Sequence, residues 1–279
     1  MIGEIYMYKG YIDVKPTQEE WSELYSNPQN NIFNCLDNQY LIIYDENEGV
    51  VDRFKWVNGC YKKLTYKQIN NSFVNKIKPR NIQQECTFDM LQDKNTTIKV
   101  VTGRFGSGKT YLMVTNALQM LYDGRFDKIV WIRNNIAVKD TKDLGALPGT
   151  ELEKLLPFVM PLADHVGGVD GIEMLIRQNK LEVQHLGFIR GRDIKNSIII
   201  FSEAENLTKQ HVQLLIGRVG EGSNLWLDGD FKQTDSKVFE ENSGLNIAID
   251  KLKGHELFGY VHLEKSERSV TSALADLLD

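Results

Sequence analysis

The run GRFGSGKT at residues 103–110 constrains the fold of this 279-residue chain more than any other feature. It fits the pattern G-x-x-x-x-G-K-[ST] at every position, and that pattern is typical of a loop that binds nucleotide phosphates. A β-branched run at 98–102 precedes it, and apolar residues at helical spacing follow it from 110 to 121. A loop between a strand and a helix delivers phosphate to free N–H groups at the helix N-terminus. Since pattern and context agree, we favour a phosphate loop over a chance glycine-rich turn.

The residue types in this loop each match a task in binding a triphosphate. Glycines let the backbone curl, so that consecutive N–H groups point at phosphate oxygens. Lys109 brings a positive charge to the β- and γ-phosphates, and Thr110 offers a hydroxyl to Mg²⁺. The predicted nucleotide-binding residues of the loop are Gly103, Arg104, Phe105, Gly106, Ser107, Gly108, Lys109, Thr110 and Tyr111.

Strands and helices alternate through the chain beyond the phosphate loop. The predicted strands are 98–102, 128–133, 181–186, 197–201, 224–227 and 260–263. The predicted helices are 81–91, 110–121, 151–166, 172–178, 209–218, 243–252 and 270–278. Unbroken apolar strands separated by helices indicate an α/β fold with a mostly parallel sheet that is covered on both faces. Ligands of such sheets bind at the carboxyl ends of the strands, where Gly103, Arg133, Ser202 and Asp228 lie.

Residues 1–78 have a different character and indicate a small β-rich N-terminal module. The predicted elements are a helix at 17–25 and strands at 39–44, 50–57 and 60–64. Asn58-Gly59 is a strong two-residue hairpin signal, so these strands are expected to form a β-meander. Pro79 provides the boundary to a second domain at 79–279. Because the first module has no cluster of acids, we favour a docking or packing role for it over catalysis.

Composition and charge exclude several classes of protein. The chain has 33 Lys and Arg against 38 Asp and Glu. The resulting net charge of −5 argues against a broad basic surface for duplex DNA but leaves room for a local basic groove. No apolar run has the length of a membrane span, and residues 1–4 lack the pattern of a signal sequence. Cys35, Cys60 and Cys86 have neither metal-binding nor disulfide spacing. We therefore expect a cytoplasmic protein with no membrane partner.

A second strand carries the acidic groups that a nucleoside-triphosphatase needs beside its phosphate loop. Residues 198–201 are large and apolar, and they run directly into Ser202 and Glu203. In this position Glu203 would polarise the attacking water, and Thr110, Ser202 and Glu203 would surround Mg²⁺. The next strand ends in the run 227–230, and its polar end is placed to sense the γ-phosphate.

Several motifs in sequence order resemble those of the PhoH-like family over about residues 79 to 279. They are GRFGSGKT at 103–110, LG-x-LPG at 144–149, RGR at 190–192, SEAEN at 202–206 and GD-x-x-Q-x-D at 229–235. The resemblance implies a RecA-like P-loop NTPase core related to superfamily 1 helicases, with ATP and Mg²⁺ as its ligands. It further implies ATP hydrolysis, a role on RNA, and a homo-oligomer in the form of a hexameric ring. The N-terminal module resembles the β-rich connector that precedes the ATPase core in longer members.

The resemblance also carries roles onto single residues. Gln84 lies where the family has a glutamine that contacts adenine. Its position in the sequence alone favours neither this role nor that of a solvated helix residue. The catalytic set that the resemblance implies is Lys109, Glu203, Asp230, Gln233 and Arg268, with Asp230 and Gln233 as sensor-like residues. Arg268 corresponds to the arginine before the C-terminal helix. Arg218 or Arg268 is a candidate to reach the γ-phosphate of a neighbouring subunit, although Arg218 can equally complement a helix C-terminus.

One departure from the family pattern bears on activity. The family's second strand usually ends in Asp-Glu-Ala-Gln, whereas this chain has Ser202-Glu203-Ala204-Glu205. The missing carboxylate normally orients Mg²⁺ through its waters, and a serine hydroxyl brings no charge. Three outcomes follow: hydrolysis is slow, a neighbouring acid such as Asp228 or Glu205 compensates, or the protein binds nucleotide as a switch without turnover. We expect weak but real hydrolysis, because the other catalytic residues remain.

Arginines at the ends of predicted elements are the candidates for contact with RNA. Arg190 and Arg192 flank a glycine, a spacing at which two planar guanidinium groups can bracket one phosphate. Together with Arg133 they form the predicted site for single-stranded RNA, and Phe188 is available to stack on a base. The alternative is that these arginines pair with local acids.

Two functions from different classes remain open on these grounds. The first is a Mg²⁺-dependent ATPase that acts on RNA as a translocase or helicase. The second is a nucleotide-gated assembly protein in which ATP stabilises a ring and hydrolysis is incidental, and the serine at 202 favours it. A small-molecule kinase is a weaker third idea, because it would need a substrate-binding lid that the sequence does not show.

Overall fold

A computed structural model describes residues 8–71, 75–133, 151–232 and 243–267. The sequence predictions that fall outside these residues are the motif at 144–149, the last three positions of the motif at 229–235, the helix at 270–278, and the site residues Gln233 and Arg268. None of the helices in the described ranges is long and apolar enough to cross a membrane.

The described strands and helices include those that the sequence predicts in these ranges, together with three short N-terminal strands that it does not predict. The strands are β1 (Tyr11–Val14), β2 (Tyr40–Tyr44), β3 (Val50–Val57), β4 (Cys60–Lys63), β5 (Ile69–Asn71), β6 (Asn75–Ile77), β7 (Ile98–Gly103), β8 (Lys128–Arg133), β9 (Leu181–His185), β10 (Ser197–Phe201), β11 (Asn224–Gly229) and β12 (Phe258–Leu263). The helices are α1 (Gln18–Ser26), α2 (Ile82–Gln92), α3 (Lys109–Tyr122), α4 (Glu151–Val166), α5 (Gly168–Arg177), α6 (Lys209–Ile216) and α7 (Gly244–Leu252). Each predicted element within the described ranges occurs within a few residues of its predicted position.

The central sheet has six strands, all parallel, in the order β12-β7-β11-β10-β8-β9. β11 lies between β7, which leads into the phosphate loop, and β10, which carries the second acidic motif. This α/β arrangement is that of a RecA-like P-loop core and confirms the predicted fold class. Since the strands all point the same way, their carboxyl ends meet at one edge of the sheet, where ligands bind.

Side chains of the strands alternate between two hydrophobic clusters, one on each face of the sheet, except in the edge strand β9, which contributes to only one of them. Ile198 and Ile200 of β10 belong to the cluster that contains residues of α2, α3, α4 and α5. Ile199 and Phe201 belong to the other cluster, which contains residues of α6 and α7. Because both faces are covered, the central strands are mostly apolar, and polar groups are presented where these strands end.

The N-terminal module contains a four-stranded sheet in the order β1-β2-β3-β4. β2, β3 and β4 form the antiparallel meander that the sequence predicts, and Asn58 and Gly59 connect β3 to β4 with φ angles of 54° and 67°. β1 adds a parallel strand beside β2, so the sheet is mixed. Neither β1 nor the antiparallel pair β5-β6 has a clear sequence signal: all three strands have only three or four residues, and β5 and β6 are also mostly polar.

The N-terminal module packs directly against the α/β core. Tyr40 of β2 lies in the same hydrophobic cluster as Phe88 of α2, and its hydroxyl donates to Asp89 Oδ2 at 2.8 Å. The backbone N–H of His262 in β12 donates to the carbonyl oxygen of Lys9 at 2.9 Å. One hydrophobic cluster therefore runs across the predicted boundary, and the division of the chain into 1–78 and 79–279 remains a prediction.

Candidate functional site

The phosphate loop connects Gly103, the last residue of β7, to Lys109, the first residue of α3. Gly106 and Gly108 have φ angles of 81° and 90°, in the left-handed region that glycine adopts without strain. No side chain caps the N-terminus of α3, so the N–H groups of its first turn are open to an anion. The loop therefore has the shape that its sequence predicts.

Two polar groups in the loop have binding capacity that the described residues leave unused. The Lys109 amine donates to the carbonyl oxygens of Gly103 at 2.7 Å and of Arg104 at 3.1 Å, which are neutral partners. The side chain of Arg104 itself is exposed. The Ser107 hydroxyl is buried and has no hydrogen-bond partner in the described part of the chain, which is an unfavourable state. Both the amine and the hydroxyl can bind the oxygens of a phosphate.

Asp228, near the end of β11, joins the start of α3 to the end of β10. Its Oδ2 accepts a hydrogen bond from the Thr110 hydroxyl at 2.7 Å, and its Oδ1 accepts one from the backbone N–H of Glu203 at 2.9 Å. Ser202, which the sequence places near the metal ion, is buried directly after β10. Of the two acids that the sequence offers as substitutes for a carboxylate at this serine, Asp228 is the one that contacts the phosphate-loop threonine.

Glu203 and Arg133, which the sequence assigns to catalysis and to RNA binding, form an ion pair with each other. Arg133 ends β8 and Glu203 follows the neighbouring strand β10, so both lie at the ligand-binding edge of the sheet. That adjacency of strand ends is the signal by which the pair could be anticipated. The backbone of Glu203 is left-handed, with a φ of 63°, a conformation that is uncommon in this residue type and recurs at functional sites.

Glu205 and Asp230 are buried close to this pair. Burial, together with the nearby charges of Asp228 and Glu203, raises the pKa of Glu205 to about 8, although its Oε2 accepts the backbone N–H of Asp230 at 3.0 Å. Glu205 is therefore mostly protonated at neutral pH and matches the uncharged glutamine of the family pattern. The carboxylate of Asp230 accepts the backbone N–H of Lys232 at 3.1 Å, and its sensor role remains a prediction.

A cavity of about 580 Å³ adjoins the phosphate loop, a volume typical of small-molecule sites. Its lining includes Lys76, Gln84, Phe105, Tyr111 and His165. The rings of Tyr111 and His165 meet edge to face, with their centroids 5.1 Å apart. The buried Gln84 amide accepts the N–H of Arg80 at 3.0 Å and donates to the carbonyl oxygen of Ser107 at 3.4 Å. Gln84 thus braces the loop from the cavity wall, and contact with adenine remains its predicted role.

Glu267 also holds the phosphate loop, and nothing in the sequence indicates this contact. Its backbone N–H donates to the Gly106 carbonyl oxygen at 3.1 Å, and its Oε1 accepts from Asn81 Nδ2 at 2.6 Å. Arg80 Nη1 donates to the Glu267 carbonyl oxygen at 3.3 Å. These bonds tie the segment after β12 to the loop and to the start of α2. The following residue, Arg268, lies outside the described ranges.

The arginines predicted to bind RNA are not equally available. Arg192 forms an ion pair with Glu182, and Arg133 forms one with Glu203. Both arginines therefore pair with local acids, which is the alternative to RNA binding that the sequence left open. Arg190 is exposed, and no carboxylate among the described residues pairs with it. Phe188 is 75% exposed, and its ring lies beside that of His185 with the centroids 5.6 Å apart. Arg190 and Phe188 are therefore the accessible part of the predicted RNA site.

β7 leads through a glycine-rich turn into a helix whose N-terminus no side chain caps. This arrangement places the chain in the class of proteins with the P-loop NTPase fold. Within that class, a family model described as "PhoH-like protein" matches residues 76–277. The chain therefore belongs to the PhoH-like family, as its motifs indicate.

Curated relatives agree with this assignment. The alignment with Protein PhoH2 of Bacillus subtilis is 295 residues long and has 33% identity. It covers 98% of this chain and 64% of the relative. Protein PhoH2 of Mycolicibacterium smegmatis is 32% identical over 201 residues, which cover 71% of this chain and 46% of the relative. The chain thus spans less than two thirds of the length of these relatives. Among solved structures, Pif1 helicase from Candida albicans aligns over 72% of this chain and 44% of that chain, with 16% sequence identity and a TM-score of 0.38.

Proposed function

We propose that the protein binds ATP together with Mg²⁺ at the phosphate loop and hydrolyses it. The observation that carries this proposal is the unused binding capacity of the loop. An uncapped helix N-terminus, the Lys109 amine and the buried Ser107 hydroxyl all belong to one short segment. Such a set of donors matches the negative charge and the many oxygens of a phosphate chain.

The residues around Thr110 also fit a magnesium ion that arrives with the nucleotide. Mg²⁺ is usually bound through one or two protein oxygens, substrate phosphates and waters rather than by a cage of protein ligands. In keeping with this, no group of three or more His, Cys, Asp or Glu side chains in the described ranges is arranged to hold a metal ion. Thr110 and the buried carboxylate of Asp228 offer neighbouring oxygens. When bound, the ion would neutralise charge that develops on the phosphates.

The side chains of the site divide the work of hydrolysis among them. Lys109 and the open N–H groups of α3 hold the phosphates and balance their charge. Glu203 orients the attacking water and accepts its proton. Because Arg133 pairs with this carboxylate, Glu203 must first turn from the arginine toward the nucleotide. This requirement leads us to expect slow turnover when no partner is bound.

Phosphate release measured with ATP and Mg²⁺ tests the proposal. Lys109→Ala should lose nucleotide binding and turnover, whereas Glu203→Gln should keep binding and lose turnover by about 100-fold or more. Lys251→Ala, which removes a lysine from the last turn of α7, is the matched control and should behave as the wild type. Equal phosphate release from the wild type and Lys109→Ala would contradict the proposal.

Single-stranded RNA is the proposed partner of the same edge of the sheet. Arg190 and Phe188 follow β9 and are exposed, and they offer a phosphate contact and a stacking surface. Binding should weaken as salt is added and should disappear in the double variant Phe188→Ala, Arg190→Ala, which removes the two accessible side chains of the site. Fluorescence anisotropy with a labelled oligonucleotide measures both effects. Unchanged affinity in the double variant would remove this site from the proposal.

A nucleotide-gated assembly protein is the second candidate, because Glu203 is engaged by Arg133 and Ser202 carries no charge. In that case ATP stabilises a homo-hexameric ring, and turnover is incidental. The mass of the assembly with and without ATP, measured beside phosphate release with and without RNA, separates the two candidates. RNA-stimulated turnover supports the enzyme, and ATP-dependent assembly without turnover supports the gate.

A further inference from the structure

The carboxylate of Asp228 is bonded through both of its oxygens to groups of the nucleotide site. Oδ2 accepts from the Thr110 hydroxyl at 2.7 Å, and Oδ1 accepts from the Glu203 backbone N–H at 2.9 Å. Thr110 is the residue that would contact Mg²⁺ in the proposed site, and Glu203 is the proposed base. One side chain therefore sets the positions of both.

Asp228 is buried without a countercharge in the described part of the chain. Asp228 is 2% exposed, and no Lys, Arg or His side chain of the described residues forms an ion pair with it. Charged side chains buried to this degree are normally paired with another charge or bound to a metal ion. The two hydrogen bonds satisfy part of the acceptor capacity of the carboxylate, and a cation is the partner that its charge still requires.

The register of the sheet explains how this acid reaches the phosphate loop. Phe201 of β10 is paired with Leu227 of β11, so the next step along these parallel strands places Ser202 beside Asp228. On its other side Asp228 is paired with Val101 of β7, the strand that leads into the loop. Adjacent strands lie about 4.8 Å apart. An acid on β11 is therefore one strand closer to the loop than an acid on β10 would be.

We propose that Asp228 supplies, from β11, the carboxylate that the family pattern places on β10 and that Ser202 lacks. In this role it positions Thr110 and the water shell of the Mg²⁺ that accompanies ATP, so the inference rests on the nucleotide site proposed above. Ser202 is then complementary to its neighbour. A second carboxylate at this position, beside the buried Asp228, would bring two like charges together in a dry environment, which is unfavourable.

The test measures the affinity of a fluorescent ATP analogue with and without Mg²⁺, because this difference reports on the metal without requiring turnover. In the wild type, Mg²⁺ should strengthen binding by about tenfold or more. Asp228→Asn has nearly the same shape and no charge, and it should lose most of this strengthening while it binds the Mg²⁺-free analogue at least as well. Asp127→Asn, which changes an exposed acid at the amino end of β8, is the matched control and should keep the full effect.

A double variant tests the relocation of the acid itself. Ser202→Asp combined with Asp228→Ser returns the carboxylate to β10 and should restore the Mg²⁺ effect that Asp228→Asn loses. Circular dichroism verifies that the variants are folded, and if the double variant does not fold, Asp228→Asn decides alone. A full Mg²⁺ effect in folded Asp228→Asn would overturn the inference. A wild type that fails to bind the analogue under either condition would instead overturn the nucleotide site on which the inference rests.

Discussion

Replacement of Arg133 by alanine should raise ATP turnover in the absence of RNA. The guanidinium of Arg133 is paired with the carboxylate of Glu203, the proposed base. Only a Glu203 that has left the arginine can orient water at the phosphate loop. Because Arg133→Ala removes the competing partner, it increases the fraction of molecules in which Glu203 is available.

The size of this effect follows from the exposure of the two partners. Exposed ion pairs contribute about 0.2–1 kcal/mol, and breaking a buried pair has a larger effect. The Arg133 side chain is 17% exposed and that of Glu203 is 58% exposed, so solvent screens the carboxylate end of the pair. A contribution of about 1 kcal/mol is appropriate to such a pair. It corresponds to a factor of about five in population, and turnover should rise roughly two- to tenfold.

Steady-state phosphate release by Arg133→Ala without RNA is the assay. Arg177→Ala is the matched control, because it removes an ion pair with Glu173 on the exposed surface of α5. If Arg133 also contacts RNA, the Arg133→Ala enzyme should respond less to added single-stranded RNA than the wild type does. Turnover that falls to the level of Lys109→Ala would show that Arg133 assists the reaction instead of holding Glu203 back, and would refute this reasoning.

The remaining predictions concern stability. Glu205 has a pKa of about 8 in the folded protein, against a usual value of 4.5. As pH rises between these two values, Glu205 is ionised in the unfolded chain but still protonated in the folded protein, so the wild type loses stability. Glu205→Gln does not titrate, so its free energy of unfolding relative to that of the wild type should increase by up to about 4 kcal/mol between pH 5 and 8. Urea unfolding measures this difference. If the free energies of unfolding of the two proteins depend on pH in the same way, that result would count against the burial of this acid. Gly10 has a φ of +82°, and a Cβ there would lie 1.8 Å from the carbonyl oxygen of Tyr260, so Gly10→Ala should destabilise the fold by about 3 kcal/mol or more. Gly59→Ala, at a φ of +67° with open space around the Cβ, should cost only about 1 kcal/mol, and equal melting temperatures for the two variants would contradict the packing of the N-terminal segment on β12.

The phosphate loop is readable from the sequence because its chemistry is local. The glycines, Lys109 and Thr110 act within one continuous run, and the spacing alone sets their relation. The strands of the central sheet are equally readable, since each is a short apolar run between polar turns. Parallel pairing then brings the strand ends together, which is why the predicted site residues at those ends share one edge.

Contacts between residues that are far apart in the sequence could not be predicted from it. Thr110 and Asp228 are 118 positions apart, and Arg133 and Glu203 are 70 apart. Asp228 and Glu205 were both available as substitutes for the missing acid. The contact of Asp228 with Thr110 depends on the position of β11 between β7 and β10, together with its register, and neither is encoded in any local pattern.

Glu267 shows a second kind of limit. It holds the phosphate loop through its backbone N–H, a group that every residue except proline carries, so residue type gives no indication of the contact. β1 shows a third, because YIDV becomes a strand only through its parallel pairing with β2.

A crystal structure of the protein with a non-hydrolysable ATP analogue and Mg²⁺ tests the central claim most directly. We expect the β- and γ-phosphates to lie within hydrogen-bond distance of Lys109 Nζ and of the loop N–H groups. The ion should contact the Thr110 hydroxyl, Asp228 should face its water shell, and Glu203 should have turned from Arg133 toward the γ-phosphate. An analogue bound elsewhere, or phosphates beyond the reach of Lys109, would contradict the claim that this loop is the nucleotide site.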